Sequence, residues 1–311
     1  MTQDQVMTEM WKSLLDDRKA ERRRTYLKYA ILGTIGLLYG AAFLATQLNS
    51  SGESATPGKY VNVVRVEGTI APGESASAES LNPLLARAFS DVNAEGVVLL
   101  INSPGGTPVQ SSLIHDTILR LKAKHQKKVI AVGEDMVTSG AYFIAVAADE
   151  IVVNRSTVAG SIGVVSRGFG FTGLMERIGV ERRVQSAGAS KNLGDSFGPQ
   201  TEESLAKQTE LLGNIHNHFM DVVKQGRGDR LNLDSPGLFS GTVWTGEQAL
   251  EMGLVDKLGD LHTATEAAFG SITLKEIKPA KTLLDMAIGG IGVEVGRVLV
   301  PKVQAPASLT P

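Results

Sequence analysis

The sequence predicts an α/β domain, a parallel sheet covered by helices, standing behind one N-terminal transmembrane helix. Three observations predict it. Short β-branched runs alternate with helical patterns from Tyr60 onward, the arrangement of βαβ units. The run Gly96 to Asn102 (GVVLLIN) is apolar throughout its middle, as a strand buried on both faces must be. Tyr29 to Leu48 carries no charge over a length that, at about 1.5 Å per residue, spans the roughly 30 Å of a bilayer's hydrocarbon core. The 311 residues suffice for a sizeable core, and with 42% hydrophobic and 21% charged residues the chain is globular rather than disordered. A formal charge of -2 gives no field for nucleic acid, so no nucleic-acid partner is expected. The absence of cysteine removes disulfides, thiol nucleophiles and thiolate metal sites.

Residues 1–28 form a basic leader in which Arg18, Lys19, Arg22, Arg23, Arg24 and Lys28 surround the single Glu21. Cations on this flank of the span 29–48 place the leader in the cytoplasm and the chain from residue 49 onward outside the cytoplasmic membrane. A cleavable signal peptide would have a shorter apolar core nearer the start. Gly36 and Gly40 form a G-x-x-x-G pair, which either packs two helices or reflects the frequency of glycine in spanning helices. Residues 49–59 (NSSGESATPGK) read as a flexible tether. The domain occupies 60–275, with strands expected at 60–66, 96–102, 128–132, 150–154 and 181–185. Helices are expected at 79–92, 108–125, 139–148, 201–224 and 245–252. The segment 276–311 is an amphipathic segment or a tail.

Chemistry is expected where strand ends meet helix starts. The strand ending at Asn102 runs into Ser103-Pro104-Gly105-Gly106, whose glycines expose backbone N–H groups; the turn is either an oxyanion cradle or a plain tight turn. It lacks the spacing of a P-loop or a dinucleotide fingerprint. The next strand leads to Thr138-Ser139-Gly140-Ala141-Tyr142. Ser139 at a helix start is either an N-cap or a nucleophile beside the unhindered Gly140 N–H. Val137 stands where the G-x-S-x-G elbow needs glycine, which disfavours an ordinary α/β-hydrolase. None of His115, His125, His216, His218 and His262 lies in a context that marks a catalytic base, and each reads as a core or surface residue. The alternative base is Lys191, in the small-residue stretch Ser186-Ala187-Gly188-Ala189-Ser190-Lys191. A lysine serves as a base only when neutral, which burial among small groups favours.

Taken together, Val66-Glu67-Gly68-Thr69-Ile70, Asn102 to Gly106, Thr138 to Tyr142, Ala159-Gly160-Ser161-Ile162-Gly163-Val164, the Lys191 loop into Gln200-Thr201-Glu202-Glu203, Trp244 to Ala249 and Gly253 to Asp256 resemble the signal peptide peptidase A family. The likeness is to its short, single-repeat form, covers roughly residues 60 to 270, and keeps the family's order. The resemblance implies a Clp protease/crotonase-like fold and a serine endopeptidase working without metal or cofactor. In it Ser139 is the nucleophile, Lys191 the general base, Gly106 and Gly140 the oxyanion donors and Ser161 the residue that orients the lysine. It further implies a membrane-embedded protein of the bacterial cytoplasmic membrane with a periplasmic catalytic domain. It would act on peptide substrates, cleaved signal peptides above all, as a homo-oligomeric ring in which serine and lysine come from adjacent subunits. Ala141 departs from the family pattern, which usually shows a second glycine there, and the resemblance supplies no role for the leader. An envelope quality-control protease, an acyl-CoA enzyme of the same fold and an inactive membrane scaffold are the competing readings.

Overall fold

The computed structural model describes residues 3–50, 59–188, 190–270 and 272–279, which divide into two compact units, one up to Pro57 and one from Gly58. The first unit is the single helix α1 (Gln3–Ser50). It runs without a break from the basic leader into the uncharged stretch, and its side chains are exposed from Glu21 to Ala42. Among the described residues no helix is long and apolar enough to cross a membrane. Side chains of the uncharged stretch are described over 29–42, about 21 Å of helix, less than the roughly 30 Å of a bilayer's hydrocarbon core. The span expected at 29–48 is therefore not established by the helix itself. The expected tether falls mostly, and the tail almost wholly, outside the described residues.

The second unit alternates strand and helix as the sequence predicts. β1 (Tyr60–Glu67), β2 (Ala94–Ser103) and β3 (Lys128–Thr138) pair in parallel, joined by α2 (Ala78–Ser90) and α3 (Pro108–His125). After β3 come α4 (Gly140–Ala145), β4 (Glu150–Val153), β5 (Val158–Gly160), α5 (Thr172–Arg177) and the long α6 (Glu202–Arg227). β6 (Val243–Thr245), α7 (Gly246–Glu251), β7 (Lys257–Leu258), α8 (Leu261–Phe269) and β8 (Thr273–Glu276) complete it. The sheet runs β6-β5-β3-β2-β1-β8, with β4 beside β3 and β7 beside β4. It is parallel except where β6 meets β5.

Sequence sets these elements in identifiable ways. Pro108 opens α3 at a position whose N–H would go unused in any case. The Thr201 hydroxyl accepts from the Ser204 N–H at the start of α6, and Thr245 and Gln248 form a reciprocal capping box on α7. β2 is buried on both faces, as its apolar run requires. One face packs under α2, α3, α4 and α6 through Leu99, Ile101, Ile114 and Phe143, and the other under α8 through Val98, Leu100 and Ala264.

Two expectations need correction. The strand expected at 181–185 does not form: Glu181 to Gln185 lie exposed in irregular backbone, where Arg182 pairs with Asp195 and covers the Phe197 ring. The helix expected over 139–148 is confined to α4, because Ser139 leaves helical geometry and the chain turns after Ala145 toward β4.

Candidate active site

The carboxyl ends of β2 and β3 lie side by side, with Ser103 in register with Val137, so the two turns singled out in the sequence meet. The Ser103 hydroxyl, fully buried, accepts from the Gly105 N–H at 3.1 Å. The Ile70 N–H donates to the Gly105 carbonyl at 2.9 Å and the Thr107 N–H to the Ile70 carbonyl at 2.8 Å. The glycine turn is thereby stitched to the chain after β1. A Cβ on Gly106 would lie 2.0 Å from the Ile70 oxygen, and one on Gly105, at φ 93°, would lie 2.6 Å from the Gly140 nitrogen. Close approach of backbone to backbone is thus what requires both glycines.

Ser139 sits at the junction of β3 and α4 with φ 52° and ψ -123°, outside the extended region of an ordinary N-cap, and its side chain makes no capping bond. Its N–H donates to the Gly160 carbonyl at 2.8 Å, and its carbonyl accepts from the Phe143 N–H at 3.0 Å. A non-glycine residue held at positive φ costs on the order of 1–3 kcal/mol, and such strain clusters at functional sites. The backbone therefore turns the Ser139 hydroxyl away from the helix it precedes and into a cavity of about 130 Å³. Gly106, Pro108, Gly140 and Phe143 line that cavity together with the wall Gly163 to Val165 and with Ile215, His218 and Phe219 of α6. The Gly140 N–H opens α4, where no preceding turn can accept it. A Cβ on Gly140 would stand 3.2 Å from the Gly106 nitrogen. Among the described residues neither amide finds a carbonyl in the turns, loops and caps.

Of the residues expected to act, the fold brings Ser139, Gly106 and Gly140 around one cavity. Ser161 is joined to them through the backbone: it comes directly after Gly160, has φ 53°, and donates its N–H to the Thr242 carbonyl at 2.8 Å. Lys191 is not brought there within one chain. It lies exposed in the turn after Gly188, its N–H bonded to the Gly188 carbonyl at 3.1 Å, and its ammonium bonds to neither Ser139 nor Ser161 among the described contacts.

Sequence reasoning missed the contribution of α6. Ile215, His218 and Phe219 share a helix face and form a cavity wall. Their i, i+3, i+4 spacing was a usable signal of a common face, but nothing in it says which site the face covers. His216 accompanies them, its Nε2 3.1 Å from the Ile162 carbonyl, which fixes the opposite wall to the same helix. Behind the site, Arg227, 1% exposed, bonds both oxygens of Asp256 at 2.8 and 2.9 Å and the Gly253 carbonyl at 2.8 Å. Burial alone would raise the Asp256 carboxyl, but the Arg227 guanidinium and the Ile151 N–H hold it below the usual carboxylate range. The Tyr142 hydroxyl, kept neutral by burial, donates to the Leu254 carbonyl at 2.7 Å and anchors α4 to the same segment.

The model of peptidase family S49 matches residues 121–274. The chain is 41% identical over 282 residues to the Na(+)/H(+) antiporter NhaA of Brucella melitensis, covering 89% of this chain but 37% of that protein. It thus spans little more than a third of the length of the first curated relatives it matches. To the putative signal peptide peptidase SppA of Enterococcus faecium it is 29% identical over 269 residues, covering 83% of this chain and 73% of that one. To the putative protease slr0021 of Synechocystis it is 31% identical over 229 residues, covering 73% and 78% of the two. The chain belongs to peptidase family S49.

Proposed function

We propose that the chain is a membrane-anchored serine endopeptidase with a Clp protease/crotonase-like catalytic domain, in which Ser139 attacks a peptide carbonyl and Lys191 serves as its base. The observation that carries this reading is the backbone of Ser139. A serine at a helix start whose φ of 52° denies it the capping role, beside two glycine amides, is arranged for attack and for little else.

In the mechanism a neutral Lys191 amine takes the Ser139 proton as Oγ bonds to the carbonyl carbon. The oxyanion formed lies against the N–H groups of Gly106 and Gly140. The ammonium returns the proton to the departing amine as the C–N bond breaks, leaving an acyl-enzyme; the same lysine then deprotonates water, which releases the acid and restores Ser139. Ser161 holds the lysine by a hydrogen bond. The lysine comes from an adjacent copy in a homo-oligomeric ring. Supporting this, the segment that bears Lys191 presents Phe169 at 80%, Ile178 at 64% and Leu174 at 56% exposure, an apolar surface of the kind that packs against another protein.

The uncharged stretch 29–48 on an unbroken helix with a basic N-terminal flank supports a single-pass anchor in the bacterial cytoplasmic membrane, leader inside and catalytic domain in the periplasm. From there the enzyme meets peptides at the bilayer, and an apolar cavity beside Ser139 suits the side chains of cleaved signal peptides. The test is subunit mixing. Ser139→Ala and Lys191→Ala are each expected to hydrolyse no peptide, and a mixture re-assembled from both is expected to regain activity. Two inactive variants that stay inactive when mixed place the lysine in the same chain as its serine, and an active Ser139→Ala refutes the nucleophile.

A further inference from the structure

The cavity beside Ser139 has a polar group that the proposed chemistry leaves unused. Its walls are apolar, from Pro108 and Phe143 through Val164 and Val165 to Phe219. The Ser139 hydroxyl and the two glycine amides belong to the reaction, and the Ser111 hydroxyl, packed against Gly140, donates to the Thr107 carbonyl at 3.1 Å. His218 is the one ionisable side chain on the lining among the described residues. It is exposed, with its ring centroid 5.7 Å from that of Phe143. We propose that His218 selects the substrate side chain entering this cavity, favouring one that is apolar along its length and anionic at its tip. The proposal rests on the reading of Ser139 as nucleophile. A carbonyl attacked by Ser139 with its oxygen at Gly106 and Gly140 sets its own residue's side chain at the mouth of the cavity, where α6 presents His218.

Few ionisable groups of the same chain face His218. From α3, His115 lies behind the Phe143 ring, 5.2 Å between centroids, with Asp116 3.0 Å from its Nδ1. Burial, with His218 nearby, lowers the His115 imidazole despite Asp116, so its titration falls below the ordinary range. α4 brings no ionisable side chain except the buried Tyr142, and the wall Gly163 to Val165 brings none. On α6 itself Asp221 stands about one turn further along.

Glutamate and glutamine match in size and differ in charge, so a peptide pair varied at the residue before the cleaved bond isolates the effect. The ratio of kcat/KM for the Glu peptide to that for the Gln peptide, taken with the full chain in detergent, cancels the pH dependence of the base. At a single pH the ratio is expected to be about threefold higher in the wild type than in His218→Gln. A Ser139-dependent enzyme whose ratio is the same in the wild type and in His218→Gln overturns the role of His218 alone. Cleavage that persists in Ser139→Ala overturns the reading of the site and the proposal with it.

Discussion

Around single residues, the site depends on close contacts that only glycine allows. A Cβ at residue 140 would meet the Ser111 Oγ at 2.3 Å, whereas one at residue 106 would meet the Ile70 carbonyl oxygen at 2.0 Å. The two substitutions are therefore expected to differ. Gly140→Ala should lower kcat by about tenfold or more, and adding Ser111→Ala should restore part of the loss, since the obstructing atom is a side chain. Gly106→Ala should be repaired by no side-chain change, because its obstacle is backbone. Kinetics of the three variants check this. Much of the site was legible in sequence at this scale: the glycine turn and Ser139 stood at strand ends, where an open sheet binds ligands. The side-chain freedom of Ser139 was not, because a cap and a nucleophile share the same local sequence and differ in φ. His218 was illegible for a related reason: helical spacing gives a face and leaves unsaid what it faces.

Among the elements, α4 follows directly on Ser139, the proposed nucleophile, and the Arg227–Asp256 pair and Tyr142 hold it from behind. Arg227→Met takes the bidentate partner from a partly buried carboxylate that keeps Arg230 at 3.1 Å, and should cost about 2 kcal/mol, part of it recovered by adding Asp256→Leu. The Asp256 pKa is lowered in the folded state, so its contribution to stability is present above the unfolded carboxylate value and lost as pH falls through the folded one. Asp256→Asn should accordingly flatten the acid limb of the stability curve below about pH 4, measured by chemical denaturation. The main strands and helices were legible because β1 to β4, α2, α3 and α6 carry strong periodic or continuous apolar patterns. β5, β6, β7 and β8, of two to four residues each, are too short to show a period. The false strand at 181–185 had a β-branched residue but, among the described residues, no neighbour strand to bond, and its polar side chains found partners such as Asp195 instead. Local propensity is a weak guide where no ladder is available.

For the whole molecule, the proposed anchor and assembly would decide where and whether the site works. The exposed Phe169 and Ile178 belong to the segment that bears Lys191. Phe169→Asp with Ile178→Asp should dissociate the assembly in sedimentation and abolish peptide hydrolysis while leaving the fold intact by circular dichroism. If α1 is the anchor, the full chain should stay with membranes through an alkaline wash and a chain lacking residues 1–48 should not. The most direct test of the central claim is labelling of the assembled, detergent-solubilised protein by a fluorophosphonate, with the adduct mapped by peptide. The account predicts an adduct on Ser139 that Ser139→Ala and Lys191→Ala both abolish while still assembling. Labelling that survives Lys191→Ala, or an assembled wild type that takes no label at Ser139, would contradict it.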